Sequence, residues 1–188
     1  PSVVPDQRGA SAAVARRLLT LGHRRMAYIT DPVDASVYID RREGFLAECL
    51  AAGARVDVRE GDCHYESGLR IGRELLSRPA GERPTAVASL NDLMAMGVIE
   101  AAASLGLKTP QDVSVTGGDG TYPYYRPRLT TFRMPMLDLG RRGAEMLLRL
   151  VEAKGERSGG EAAWNEVLPV ALIDGDTVAP PARPGLSA

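Results

Sequence analysis

Hydrophobic positions along the chain follow two rhythms. Short solid runs at Val3-Val4, Met26 to Thr30, Val56 to Arg59, Thr85 to Leu90 and Val113 to Thr116 predict strands. Between them, apolar residues recur three or four apart and predict helices. Residues 9–21 place Ala10, Val14, Leu18 and Leu21 on one face and stop at Gly22. Residues 38–52 turn Phe45, Leu46, Cys49 and Leu50 inward, with Gly53 as the cap. Residues 65–77 form a third helix, and Pro79 to Pro84 a turn-rich loop. Asn91 opens a fourth helix that runs to Leu105, with Met94, Val98 and Ala101 on its stripe, and Gly106 stops it. The run at 85–90 has almost no polar alternation, the mark of a strand buried on both faces. To residue 117 the order is βαβαβαβαβ, which implies an α/β fold: a doubly wound parallel sheet with right-handed crossovers.

Beyond residue 117 the rhythm changes. Gly117 to Arg128 is a loop rich in Gly, Tyr and Pro, and Leu129 to Arg133 is a short extended run. Residues 136–152 predict an amphipathic helix with Met136, Gly140, Ala144, Leu147, Leu148 and Val151 on one side. Gly155 to Gly160 reads as flexible, Glu166 to Ile173 as a terminal strand pair, and the Pro-rich stretch from Pro180 as an unstructured tail.

Composition narrows the function. The 188 residues are 44% hydrophobic and 25% charged, with a formal net charge of −1. That balance is ordinary for a globular domain and gives no electrostatic footprint for nucleic acid. No apolar run reaches the ~18 residues that would span a bilayer as a helix. Two cysteines, Cys49 and Cys63, make neither a disulfide framework nor a metal motif, and suit a reduced, cytoplasmic setting. No secretory leader is visible in residues 1–10. The start at Pro1 without an initiator Met suggests a piece of a longer protein.

In open parallel sheets ligands bind outside the carboxyl ends of the strands. Polar residues at those ends are Asp31, then Asp40 and Arg41 at the next helix start, Asp62, Cys63 and His64, Asn91 and Asp92, and Asp119. A guanidinium, an amide and several carboxylates suit a small molecule with many hydroxyls, such as a sugar, better than a phosphate, which carboxylates repel. Each also has a plainer reading. Asn91 is a good helix cap, Asp119 can bond its own turn, Arg41 beside Arg42 can be a solvated charge, and His23 past Gly22 fits a helix C-terminus. Cys49 reads as core. There is no Walker A sequence, no GxSxG elbow and no HExxH, and Gly117-Gly118-Asp119-Gly120 is not a dinucleotide loop, so no enzyme chemistry and no cofactor are expected.

Six segments, in order, resemble the LacI/GalR family of transcriptional regulators. Residues 21–29, LGHRRMAYI, are similar to the family's LGHRRIAFI, and residues 41–45, RREGF, to RxxGF. Residues 83–87, RPTAV, with 91–97, NDLMAMG, follow RPTAV…ND.MA.G. Residues 106–115, GLKTPQDVSV, follow GL.VPeDVSVvG. Asp119 matches the first Asp of GFDD, and Leu129-Thr130-Thr131 with Pro135 and Gly140 follows LTTv.qP…lG. The resemblance implies a periplasmic-binding-protein-like effector domain (type I), in which two α/β lobes clamp a small molecule, with operator DNA bound by a homodimer through an N-terminal region outside this chain. It implies that residues 1–130 are the C-terminal effector-binding lobe, 131–160 a crossover and helix of the N-terminal lobe, 161–178 returning strands and 179–188 a flexible tail. Arg41, Asn91 and Asp119 fall on family positions that bind effector polar groups, and Asp92, Cys63 and Tyr122 are expected beside them. Departures lie at Cys63 and Gly118, where the family often has aromatics, at Gly120 for the second Asp of GFDD, and at Met134 for a Gln. Tyr122, Tyr124 and Tyr125 are candidates to replace the aromatic wall. A transport-type periplasmic sugar-binding protein is the alternative with the same fold.

Overall fold

The computed structural model describes residues 1–153 and 165–182. Eight strands and five helices follow in the order β1 (Ser2–Pro5), α1 (Gln7–Thr20), β2 (Arg25–Thr30), α2 (Ser36–Ala51), β3 (Arg55–Glu60), α3 (Tyr65–Leu76), β4 (Ala86–Ser89), α4 (Asp92–Ser104), β5 (Ser114–Thr116), β6 (Thr131–Arg133), α5 (Met136–Ala153), β7 (Asn165–Leu168) and β8 (Ala171–Ile173). The stretch expected to be flexible at 155–160 lies outside the described residues, as do residues 183–188.

The centre is a parallel four-stranded sheet in the order β3-β2-β4-β5. Its strands alternate between two cores, as the pleat requires. Ala27 and Ile29 of β2 and Val87 of β4 join α3 and α4 on one face, with Leu75, Leu76 and Val98 fully buried. Met26, Tyr28, Ala86 and Ala88 join α1 and α2 on the other, where the rings of Tyr28 and Phe45 stack at 4.9 Å. Helices cover both faces, so the expected doubly wound sheet is present. α3 and α4 approach closely: a Cβ at Gly68 would come within 2.1 Å of the Met94 carbonyl oxygen, and one at Gly97 within 2.2 Å of that of Tyr65.

Several features differ from the sequence reading. The first strand does not extend the parallel sheet. β1 pairs with β7 in a separate two-stranded sheet, through a contact 163 residues apart at Ser2 and Asn165. The two terminal strands do not pair with each other either. β8 lies antiparallel to β6, and Pro169, which has no N–H to give a ladder, stands between the two. Leu50, expected inward, is 81% exposed, since the buried side of α2 runs along Arg41, Gly44, Phe45 and Cys49. Gly44 allows α1 to come near, because a Cβ there would lie 2.2 Å from the Arg8 carbonyl oxygen.

Helix ends follow capping chemistry. Asp6 accepts the Gly9 N–H at 2.8 Å and starts α1 two residues earlier than the apolar stripe indicates. Residues 174–179 are held on the main lobe. Thr177 is buried and its hydroxyl donates to the Val115 carbonyl at 2.6 Å, while Ala179 N–H donates to Ser114 Oγ at 3.0 Å. His23 is buried between Thr85 Oγ1 and the Ala179 carbonyl, each at 2.9 Å, so it anchors this segment rather than a helix end. α5 packs beside β1, and its stripe, including Met136, Leu147, Leu148 and Val151, faces solvent in the single chain. Among the described residues no helix is long and apolar enough to cross a membrane.

Candidate functional site at the strand ends

The chain leaves β2 for β3 on one side and then returns to place β4 on the other. β2 and β4 therefore flank the switch point, where successive crossovers diverge and leave a crevice at the carboxyl ends. Asp31 follows β2 and Asn91 follows β4, so the fold itself brings them to one place.

Arg41, on α2, is the centre of the site and only 5% exposed. Its Nη1 lies 2.9 Å from Asp119 Oδ1 and donates to the Leu90 carbonyl at 2.7 Å; its Nε donates to Gln7 Oε1 at 2.7 Å. The guanidinium also lies over the Phe132 ring, 4.9 Å from its centroid. Nε and Nη1 are bonded, a carboxylate balances the charge and a ring covers one face, which offsets much of the cost of burying it. Asp119 has φ +133°, a conformation that L side chains rarely adopt and that costs about 1–3 kcal/mol. It is held there against β6: Asp119 N–H donates to the Phe132 carbonyl at 3.1 Å. Burial pushes the Asp119 carboxyl up, Arg41 pulls it down, and Asp92 adds to the rise.

Asn91 caps α4 by accepting the Met94 N–H at 2.9 Å, and its amide donates to the Cys63 carbonyl at 2.7 Å. Both sequence readings of Asn91 thus meet in one side chain. It is a cap, and it also fixes the loop after β3, where Cys63 has φ +64°. The Cys63 thiol touches Tyr38 and Asp31, and burial, with Asp31 and Asp119 adding, pushes it up to about 11, so it is no thiolate. Cys49 is buried in the core, its thiol pushed up to about 12 by burial.

The six expected site residues do not form one cluster. Arg41 and Asp119 are in direct contact, and Asn91 and Cys63 are joined beside them. Asp92 is 1% exposed and faces inward. Its Oδ1 accepts the Thr131 hydroxyl at 2.6 Å and its Oδ2 the Thr121 N–H at 2.9 Å, which ties the 117–121 loop to β6. Tyr122 and Asp92 border one hollow of about 170 Å³, lined also by Gly120, Leu129, Thr131 and Arg133, with neither Arg41 nor Asp119 in its lining. Tyr124 is 90% exposed, and Tyr125 packs against the core. Tyr122 and Tyr124 therefore supply no wall to the Arg41 pair. His64 is exposed at the start of α3, beside Asp62.

Gln7, Phe132 and Tyr38 were not identified as site residues from the sequence. Gln7 sits one residue past the Asp6 cap, ahead of where the apolar stripe starts the helix, and Phe132 lies in the short extended run at 129–133, where nothing in the spacing marks it as a site residue. The signal available was the cap itself, which brings Gln7 into the first turn of α1.

The sequence pattern of the periplasmic binding protein-like domain family matches residues 15–178. The chain belongs to this family. As a periplasmic-binding-protein-like domain it is of the kind found in LacI-type regulators. It is 38% identical over 146 residues to the HTH-type transcriptional repressor PurR of Escherichia coli strain E24377A, an alignment over 75% of this chain and 42% of PurR. Its fold is similar to a LacI family transcriptional regulator from Enterococcus faecium with bound ribose, with a TM-score of 0.82 at 26% identity over 95% of this chain and 65% of that one. It is also similar to the lac repressor dimer bound to operator and the anti-inducer ONPF, with a TM-score of 0.82 at 29% identity over 95% of this chain and 60% of that one. The domain thus spans less than half the length of PurR and about two thirds or less of these structures.

Proposed function

We propose that this domain is the effector sensor of a LacI-type regulator, not an enzyme, and that its effector is a small polyhydroxylated molecule of the carbohydrate class. The observation that carries the reading is the buried Arg41–Asp119 pair, 2.9 Å apart at the sheet's switch point, with Asp119 bonded through its backbone to β6. A ligand that engages Asp119 acts on a residue already tied to the strand leading out of the lobe. The ribose bound by the Enterococcus faecium regulator favours a sugar.

In this reading residues 1–130 form the effector-binding lobe, 131–160 the crossover and helix of a second lobe, and 161–178 the strands that return. The β1–β7 pairing supports counting residues 2–5 with the second lobe. Ligand binding biases lobe orientation. In a cytoplasmic homodimer that bias reaches operator DNA through an N-terminal region, and a coupling of about 1–3 kcal/mol would change operator affinity about 5- to 150-fold.

A thermal-shift screen of sugars against the intact regulator tests this. At least one sugar should raise the melting temperature, and Arg41→Ala should abolish the shift. A shift that survives Arg41→Ala would place the ligand elsewhere.

A further inference from the structure

Asp31 follows β2 at the switch point and is 7% exposed. Its Oδ1 accepts the Val33 N–H at 2.8 Å, and the Cys63 thiol and the Tyr38 hydroxyl lie within reach of its charge. Among the described residues no arginine, lysine or histidine pairs with it. Across the same site the guanidinium of Arg41 is engaged by Gln7, Leu90, Asp119 and the Phe132 face. Asp92 lies behind Asp119 and adds its own charge there. The crevice therefore holds one cation, already matched by Asp119, and a second carboxylate with no cation of its own.

Charge is what such a site discriminates best. A phosphate or carboxylate ligand would meet Asp31 and Asp119 against a single guanidinium already paired with Asp119; an ammonium group would give Asp31 the cation that the chain does not. Charge-assisted hydrogen bonds are about twice as strong as neutral ones, and a buried setting enlarges the difference.

From this arrangement we infer that the site prefers a ligand bearing a protonated amine, such as an amino sugar, over its hydroxyl counterpart, and rejects the phosphate ester of the same compound. Asp31 sets the preference. This deepens the carbohydrate reading above and rests on it.

The experiment is a calorimetric titration of the intact regulator with matched sets: glucose, glucosamine and glucose 6-phosphate, and the same three forms of galactose and mannose. In at least one set the amine should bind about 10-fold or more tightly than the hydroxyl compound, and the phosphate ester should not bind. Asp31→Asn should bring the amine to the affinity that the same variant has for its hydroxyl counterpart. A phosphate ester as the tightest member, equal binding of amine and hydroxyl in every set that binds, or an amine preference that survives Asp31→Asn would each overturn the selectivity while leaving the sensor reading in place. The wild-type comparison decides the matter even if Asp31→Asn does not fold. A panel in which nothing binds would overturn the carbohydrate reading, and this inference with it.

Discussion

The four-stranded sheet with α1 to α4 and the small unit of β1, β7 and α5 are built on opposite terms. In the first, β4 is buried along its whole length, and Leu75, Val98 and Ile29 have no exposure at all. In the second, β1 and β7 alternate between exposed and partly buried until β7 ends on the buried Leu168, Val4 and Val167 are 42% and 60% exposed, and the apolar stripe of α5 is mostly solvated. Both carry clear helical or strand patterning, so pattern alone does not report stability. What separates them is whether a second layer lies on the apolar face. The site sits where the regions meet: Arg41 and Asp119 belong to the large lobe, but Phe132, the ring beneath Arg41, is on the strand that leaves it.

The sharpest contrast is a paired leucine truncation. Leu75→Ala in the covered core should cost about 2–5 kcal/mol in urea unfolding, whereas Leu147→Ala, at a position 62% exposed, should stay within about 0.5 kcal/mol in the monomeric chain. A large cost at Leu147 would mean that α5 is covered in solution. Arg41→Ala comes next. It leaves Asp119 without its cation and should destabilise the chain by about 2–3 kcal/mol, less than for a fully buried pair because the Asp119 side chain is 31% exposed. Asp119→Asn should recover part of that loss in the double variant, a test of the energetic coupling between Arg41 and Asp119.

Glycine substitutions read the same contrast through packing. Gly97→Ala forces α3 and α4 apart and should cost about 1–3 kcal/mol, while Gly143→Ala on α5, with open space around it, should gain about 0.5–1 kcal/mol by thermal denaturation. The smallest effect is a pH slope. Burial lowers the proton affinity of His23 below its ordinary 6.5. The unfolded chain then binds the proton more readily, so stability is complete above about pH 6.5 and falls as the pH drops below it towards the folded value. His23→Gln should flatten that slope in urea midpoints measured on either side of about pH 6.5.

Much of this was legible in the sequence, because the sheet and its helices rest on local rules. Solid apolar runs gave β2 and β4, Gly22, Gly53 and Gly106 stopped the helices at positive φ, and the strand-end rule placed Arg41, Asn91 and Asp119 on one rim. Leu50 was misread because an apolar residue on a helical stripe can lie at its solvent margin, and periodicity does not locate the neighbouring layer.

What only the tertiary structure decided is everything that depends on partners far apart in sequence. The pairing of β1 with β7, the placement of Gln7 and Phe132 around Arg41, and the turning of Asp92 towards Thr131 and Thr121 could not be read along the chain. The sequence by itself determined which segments are strands and helices, which face of each is apolar, and which chemistry stands at the strand ends, since those follow from spacing and residue type. Which of those groups meet was fixed by long-range closure: a hydrogen bond or ion pair has a direction and a reach of about 3 Å, and no periodic pattern encodes that.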